Sequence, residues 1–302
     1  MIVRPKPNVL QLMFIWRQSI LTQIYGQILS IFLWSLAAIG IVRHWPTVFH
    51  AWNAAPFTLL GVAISIFLGF RNSACYDRWW EARRQLGAMV GEMRSWTRIV
   101  LALPGEDVER RHRMVRGAAA FTWALMAHLR GKPMSPEVSA YVPEEWLAAE
   151  TNDVPTQILE HLSLEAAAML REDVITEVAY KLLEERLVAF AGFQVACERI
   201  RGTPTPFTYT LLVHRTAYAY CALLPFGLVT SMGWGTPLFV ALVAYAFFGL
   251  DALGDELEAP FSDHPNALAL SSLARTIEIS LLRSIGQTQL PAPLAPTAWI
   301  LE

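Results

Sequence analysis

The sequence predicts an all-α protein, with four transmembrane helices that carry a helical cytoplasmic domain. Three observations lead there. The stretches 18–42, 44–70 and 216–250 contain no Asp, Glu, Lys or Arg. Between them, residues 71–206 hold 17 of the 24 Lys+Arg and 19 of the 26 Asp+Glu. Within that charged segment, apolar residues recur at i, i+3 and i+4, the period of a helix with one buried face. The overall charged fraction is 17 %, against about 25 % in a soluble domain, which excludes a disordered chain and an ordinary soluble enzyme.

The elements follow in order. A spanning helix needs about 20 apolar residues, so the first neutral stretch supplies one span over Ile20–Val42. The second opens with HWPTVFHAWNAAP, a loop with the Trp, His and Pro of a membrane interface, and gives a span from Phe57. This second helix is expected to run on past Phe70, because RNSACYDRWWEARRQLGAMVGEMRSW keeps helical spacing and has no breaker. The third stretch is too long for one span, since 35 residues of helix reach about 52 Å. The turn signal SMGWGTP (Ser231–Pro237) divides it into helices over Phe207–Thr230 and Pro237–Leu250.

In the charged segment, GAAAFTWALMAHLR, LEAAAMLRED and VAYKLLEERLVAFAGFQVACERIR read as helices, with breaks at LPGED, RGKPMSPE, YVPEE and NDVPT. The Pro-rich tail QTQLPAPLAPTAWILE reads as extended. Four segments result: 1–70 with spans one and two, 71–206 as the cytoplasmic helical domain continuing from the second helix, 207–250 with spans three and four, and 251–302 as a cytoplasmic helical segment and tail. Arg4, Lys6 and Arg17 precede the first span and Arg71, Arg78, Arg83 and Arg84 follow the second, whereas the outer loops carry only Arg43. That asymmetry puts both termini in the cytoplasm.

Several function classes drop out. A net charge of -2 provides no basic field for nucleic acid. Cys75, Cys197 and Cys221 are far apart and odd in number, so neither a disulfide framework nor a metal site is expected. The N-terminus lacks the apolar core and cleavage site of a signal peptide. No nucleotide, metalloprotease or hydrolase motif occurs, and the seven histidines never pair at ligand spacing; His214, beside Arg215 at the mouth of the third span, is the one to watch. The expectation is no enzyme, no cofactor and no metal.

Two features remain. Asp251, Asp255, Glu256 and Glu258 follow the last span, either as a solvated helix end or as a cation-attracting ring in an assembly. On the second helix Gly61, Ser65 and Gly69 form one line at i, i+4, i+8, which lets a neighbouring helix approach closely. Val62, Ile66 and Phe70 form the adjacent line. A ring of such side chains around an axis is a hydrophobic constriction that gates by dewetting.

GVAISIFLGFRNSACYDRWWEARRQLG resembles the second-helix signature of the bestrophins, above all their bacterial branch. CERIRGTPTPFTYTLLVHRTAYAYCALLPFGL resembles that family's entry to its third helix, and GLDALGDELEAPFSDHP the stretch after its fourth. The blocks recur in order from Met1 to about Leu282. The resemblance implies a homopentameric ion channel around a central pore, in the bacterial cytoplasmic (inner) membrane, with the lipid bilayer and permeant monovalent ions as its partners. The family's neck positions fall on Val62, Ile66 and Phe70, and a cytoplasmic aperture falls near Val178, with Tyr180 and Lys181 as alternatives. Arg71, Asp251, Asp255 and Glu256 are the candidate electrostatic residues of pore or vestibule. Arg71 is also followed by Asp77, Arg78 and Glu81, a salt-bridged helix face that could absorb its charge.

One departure matters. Calcium-gated bestrophins follow Pro-Phe with a cluster of acids, but Pro260–Phe261 is followed by Ser262, Asp263, His264, Pro265 and Asn266. One carboxylate falls short of the six to eight oxygens Ca²⁺ takes, so no calcium gating is expected. The animal channels pass anions and bacterial relatives include cation-preferring ones, so the expectation leans to cations. A chloride or other anion channel of the same architecture is the alternative. A membrane-tethered helical binding or scaffold module without ion flux is the other.

Overall fold

The computed structural model describes the chain except for residues 6, 7, 9, 12–14, 17, 50–53 and 148–152. Lys6, Arg17, His50, the middle of the first outer loop and the start of the NDVPT break therefore lie outside the described residues. Among the described residues the regular structure is helical, with only isolated bridge pairs near the chain ends. They divide into two compact units. One comprises Arg4–Trp79 and Pro204–Ala259; the other comprises Met1–Val3, Trp80–Thr203 and Pro260–Glu302.

The first unit holds α1 (Leu21–His44), the short α2 (Pro46–Phe49) and the first half of α3 (Ala54–Ala102). It also holds α8 (Phe207–Met232), a 3-10 turn (Gly233–Gly235) and α9 (Thr236–Glu258). Three helical stretches are long and apolar enough to cross a membrane: Leu21–His44, Ala55–Ala102 and Phe207–Glu258. The turn at Gly233, where φ is 52°, splits the third where SMGWGTP predicts. The last helix runs to Glu258 rather than Leu250, so the acidic run lies in its final turns. No breaker interrupts α3, and it continues for 49 residues as its spacing predicts.

The unit's core joins Ile24, Ile31, Ile64, Leu68, Tyr220, Leu224, Val240 and Phe247. The Trp34 indole N–H donates to the Ala222 carbonyl at 2.8 Å, and the Arg43 guanidinium stacks 4.8 Å over Trp234. Outside that core, Tyr25, Leu29, Leu33, Leu59, Leu212, Leu223, Leu238 and Leu242 are exposed. A soluble surface does not carry that much apolar area, so these faces belong in lipid or against further protein. The protein is a membrane protein.

The second unit contains the rest of α3, α4 (Val108–Arg130), α5 (Pro136–Tyr141), α6 (Val154–Arg171), α7 (Glu177–Gly202) and α10 (Leu270–Ser284). Asp107 caps α4 by accepting the Arg110 amide at 2.8 Å, and Gly131 ends it at φ 64°. The run Gly117–Met126 is buried throughout, which makes α4 the central helix, packed by α5, α6, α7 and α10. The chain ends meet in this unit: the Met1 ammonium donates to the Leu301 carbonyl at 2.6 Å, and the Val3 amide donates to Trp299 at 2.9 Å. The Pro-rich tail is thus tied to the N-terminus.

Candidate pore-lining site

The spacing of α3 gives it two faces. Gly61, Ile64, Leu68, Arg71 and Cys75 are buried, while Val62, Ile66 and Phe70 are 56 %, 52 % and 65 % exposed. Each of these three large apolar side chains is therefore left more than half uncovered by the described residues of the subunit. The neighbouring small-residue line does not serve a single partner. A Cβ at Gly61 would come 2.6 Å from the Tyr220 hydroxyl, so glycine there lets α8 of the same chain approach. Gly69 faces open space, and the Ser65 hydroxyl bonds back to the Gly61 carbonyl at 2.8 Å.

Next to the lower end of that line, Arg71 is fully enclosed. Its guanidinium donates to the Asp251 carboxylate at 2.8 Å and carbonyl at 3.0 Å, and also to Asp255, with Glu258 at 3.6 Å. Asp251 is also 2.6 Å from the His214 ring, which meets the Tyr218 ring at 4.3 Å with a tilt of 35°. A Cβ at Gly254 would collide with the Arg71 guanidinium at 2.8 Å and with Asn72 at 2.7 Å, so glycine makes room for this pairing. The same-helix salt-bridged face that the sequence suggests for Arg71 does not form. Its partners come from α9, Arg78 donates to the Glu258 carbonyl at 2.7 Å, and Glu81 takes Arg199 at 2.5 Å. Asp77 stays exposed and makes no ion pair or side-chain hydrogen bond among the described residues.

The acidic run is therefore not a solvated helix end. Asp251 and Glu256 are buried, Glu256 accepting from the Gln23 amide at 2.5 Å. Glu258 accepts from the Thr205 hydroxyl and amide at 2.5 and 2.9 Å. Of the four candidate electrostatic residues, Arg71, Asp251 and Glu256 are turned inward, and Asp255 alone keeps most of its side chain exposed. Charges this enclosed persist because each has an opposite partner or a donor.

In the other unit, Val178 is 70 % exposed in the first turn of α7, which Thr176 caps by accepting the Ala179 amide at 3.3 Å. Tyr180 is half-buried and Lys181 exposed. Asp263, the carboxylate after Pro260–Phe261, bonds Lys132 at 2.8 Å, which holds its pKa below the ordinary carboxylate value. Among the described residues no three His, Cys, Asp or Glu side chains gather where they could hold a metal.

Sequence reading missed a second polar centre. Glu278 is buried and accepts from the Trp123 indole at 3.1 Å and from the Tyr141 hydroxyl, with Arg275 at 3.2 Å. Arg275 in turn pairs with Glu137 at 2.9 Å. The available signal was one acid in the amphipathic run LSSLARTIEISLLRS, on the side that α10 buries.

Comparison with known proteins agrees with this architecture. The family model described as Bacterial/Fungal Bestrophin protein matches residues 1–283. A voltage-dependent anion channel-forming protein of Mesorhizobium japonicum is 43 % identical over 289 residues, covering 95 % of this chain and 93 % of that protein. The voltage-dependent anion channel-forming protein YneE of Escherichia coli K12 is 36 % identical over 298 residues, 98 % of each chain. The crystal structure of a bacterial bestrophin homologue from Klebsiella pneumoniae superposes with a TM-score of 0.82 at 35 % identity, over 88 % of this chain and all of that one. With its helix order, its apolar spans and nearly its full length matched, the chain belongs to the bacterial and fungal bestrophin family.

Proposed function

We propose that the protein is the subunit of a homopentameric ion channel of the bacterial inner membrane, passing small monovalent ions along a central axis. The observation that carries this reading is the Val62–Ile66–Phe70 line: three large apolar side chains, each more than half exposed, on a helix whose other face is buried in its own subunit. Five such lines around an axis form a hydrophobic neck that opens and closes by wetting. Closed cyclic symmetry brings one α3 from each subunit to the pore. Four spans per subunit are α1, the first part of α3, α8 and α9. Segments 71–206 and 251–302 form the cytoplasmic body, and the paired chain ends support a shared side for both termini. Val178 forms a second, cytoplasmic constriction.

Monovalent cations are the ions we favour, because Arg71, the basic residue nearest the neck, is enclosed among carboxylates. Anion conduction is the second reading, favoured by the names of the relatives from Mesorhizobium japonicum and Escherichia coli. Calcium plays no part in gating, since Asp263 is committed to Lys132.

The neck is tested by single-channel recording of Ile66→Ala and Phe70→Ala in planar bilayers. Truncation widens the constriction, and unitary conductance or open probability rises several-fold. Unchanged currents in both variants, with oligomer size intact, overturn the neck assignment. Absence of any current from the wild type favours the scaffold alternative.

A further inference from the structure

We infer that Asp77 is the residue that sets the sign of the permeant ion, as a ring of carboxylates just inside the neck. The inference rests on the pore reading of the Val62–Ile66–Phe70 line. Helix geometry makes the placement quantitative, since each residue turns the helix by about 100°. Taking Val62 as zero, Ile66 lies at about 40° and Phe70 at about 80°. Asp77 lies at about 60°, inside the arc of the neck, and about 10 Å further along the axis than Phe70. On the same scale Arg71 and Arg78 lie at about 180° and 160°, the opposite side.

The surroundings agree with the geometry. Ser73, at about 20°, is the next residue on the neck face after Phe70, and it is small and exposed. Between Phe70 and Asp77 the arc of the neck carries only Ser73, and the exposed Tyr76 lies about 40° outside it. Arg71 is enclosed and bonded to Asp251 and Asp255, and Arg78 donates to the Glu258 carbonyl. Asp77 is exposed and unpaired among the described residues. Of the three charged residues between 70 and 79, it alone combines the neck face with a side chain that makes no ion pair or hydrogen bond among the described residues. An ion leaving the hydrophobic neck on the α3 side toward Asp77 meets a carboxylate from every subunit. Such a ring concentrates hydrated cations and repels anions.

Selectivity is read from the reversal potential in planar bilayers under a KCl gradient. The wild type reverses on the K⁺ side of zero. In Asp77→Asn the K⁺/Cl⁻ permeability ratio falls roughly tenfold, the scale expected for several unit charges acting through screened water. In Asp77→Lys it reverses on the Cl⁻ side. A conducting Asp77→Asn channel with an unmoved reversal potential overturns the assignment but leaves the pore reading intact. So does an anion-selective wild type. Wild-type and Ile66→Ala preparations that are both silent overturn the pore reading and this inference together.

A chemical test stands beside the substitutions. Cys75, Cys197 and Cys221 are buried, so Asp77→Cys places a single accessible thiol on the neck face. A cationic methanethiosulfonate reagent applied from the inner side then reduces K⁺ current in that variant and not in the wild type. A folded, conducting Asp77→Cys channel that the reagent leaves unchanged also overturns the assignment.

Discussion

Arg71 and Glu278 are each at the centre of the polar network of one compact unit, and the two networks are built differently. Arg71 sits among carboxylates that all come from α9, 180 to 187 positions away in sequence. One guanidinium faces three acids, and Asp251 takes a second donor position at His214. Glu278 is a single acid that collects donors from α4, α5 and α10, two of them neutral. Burial, and then the neighbouring Glu278, push the Tyr141 phenol pKa up, which keeps it a donor. The first network accumulates negative charge around one cation that ties two helices together. The second spreads one negative charge over several donors. The first is therefore the more exposed to a single loss.

The largest effect expected from this difference is that of Arg71→Met. It leaves Asp251 enclosed without its cation, and removing one partner of a buried pair costs about 3–5 kcal/mol. Denaturant or thermal unfolding of the detergent-solubilised protein measures it, and a loss below that of Glu278→Gln breaks the comparison. Glu278→Gln comes second. The amide keeps the shape but turns a donor toward groups that are themselves donors, at about 1–3 kcal/mol.

The smallest effect is that of Lys132→Ala, which leaves the exposed Asp263 with only Arg130, at 3.7 Å. It costs about 0–1 kcal/mol and vanishes at high salt. The sign with pH is fixed by the lowered Asp263 pKa. The contribution of this pair is present above the ordinary carboxylate value and is lost as pH falls through the depressed one. A Lys132→Ala loss larger than that of Glu278→Gln reverses the ranking.

The elements written in local pattern were the legible ones. Absence of charge over 18–42 and 216–250, the SMGWGTP turn and the unbroken spacing after Phe70 each concern neighbours within a few turns, and α1, α3, α8 and α9 follow them. The exposed Val62–Ile66–Phe70 line was visible for the same reason. The pairing of Arg71 with α9 was not, because nearby Asp77 and Glu81 look equally suitable in sequence. The choice depends on Gly254 letting α9 come close, a contact between distant segments. The short α5 and the Glu278 centre were hidden likewise, since the donors lie 137 and 155 positions from the acid.

The joined chain ends have a practical consequence. Met1 spends its ammonium on Leu301 while Val3 and Trp299 are hydrogen-bonded beside it, so the polypeptide is close to a closed circle. An affinity tag fused to the N-terminus removes that ammonium, and one at the C-terminus begins next to the same clasp. A short peptide linking residue 302 to residue 1 has little distance to bridge. New ends cut elsewhere, in an exposed turn such as that at Gly105, give a circularly permuted protein whose tag leaves the clasp whole.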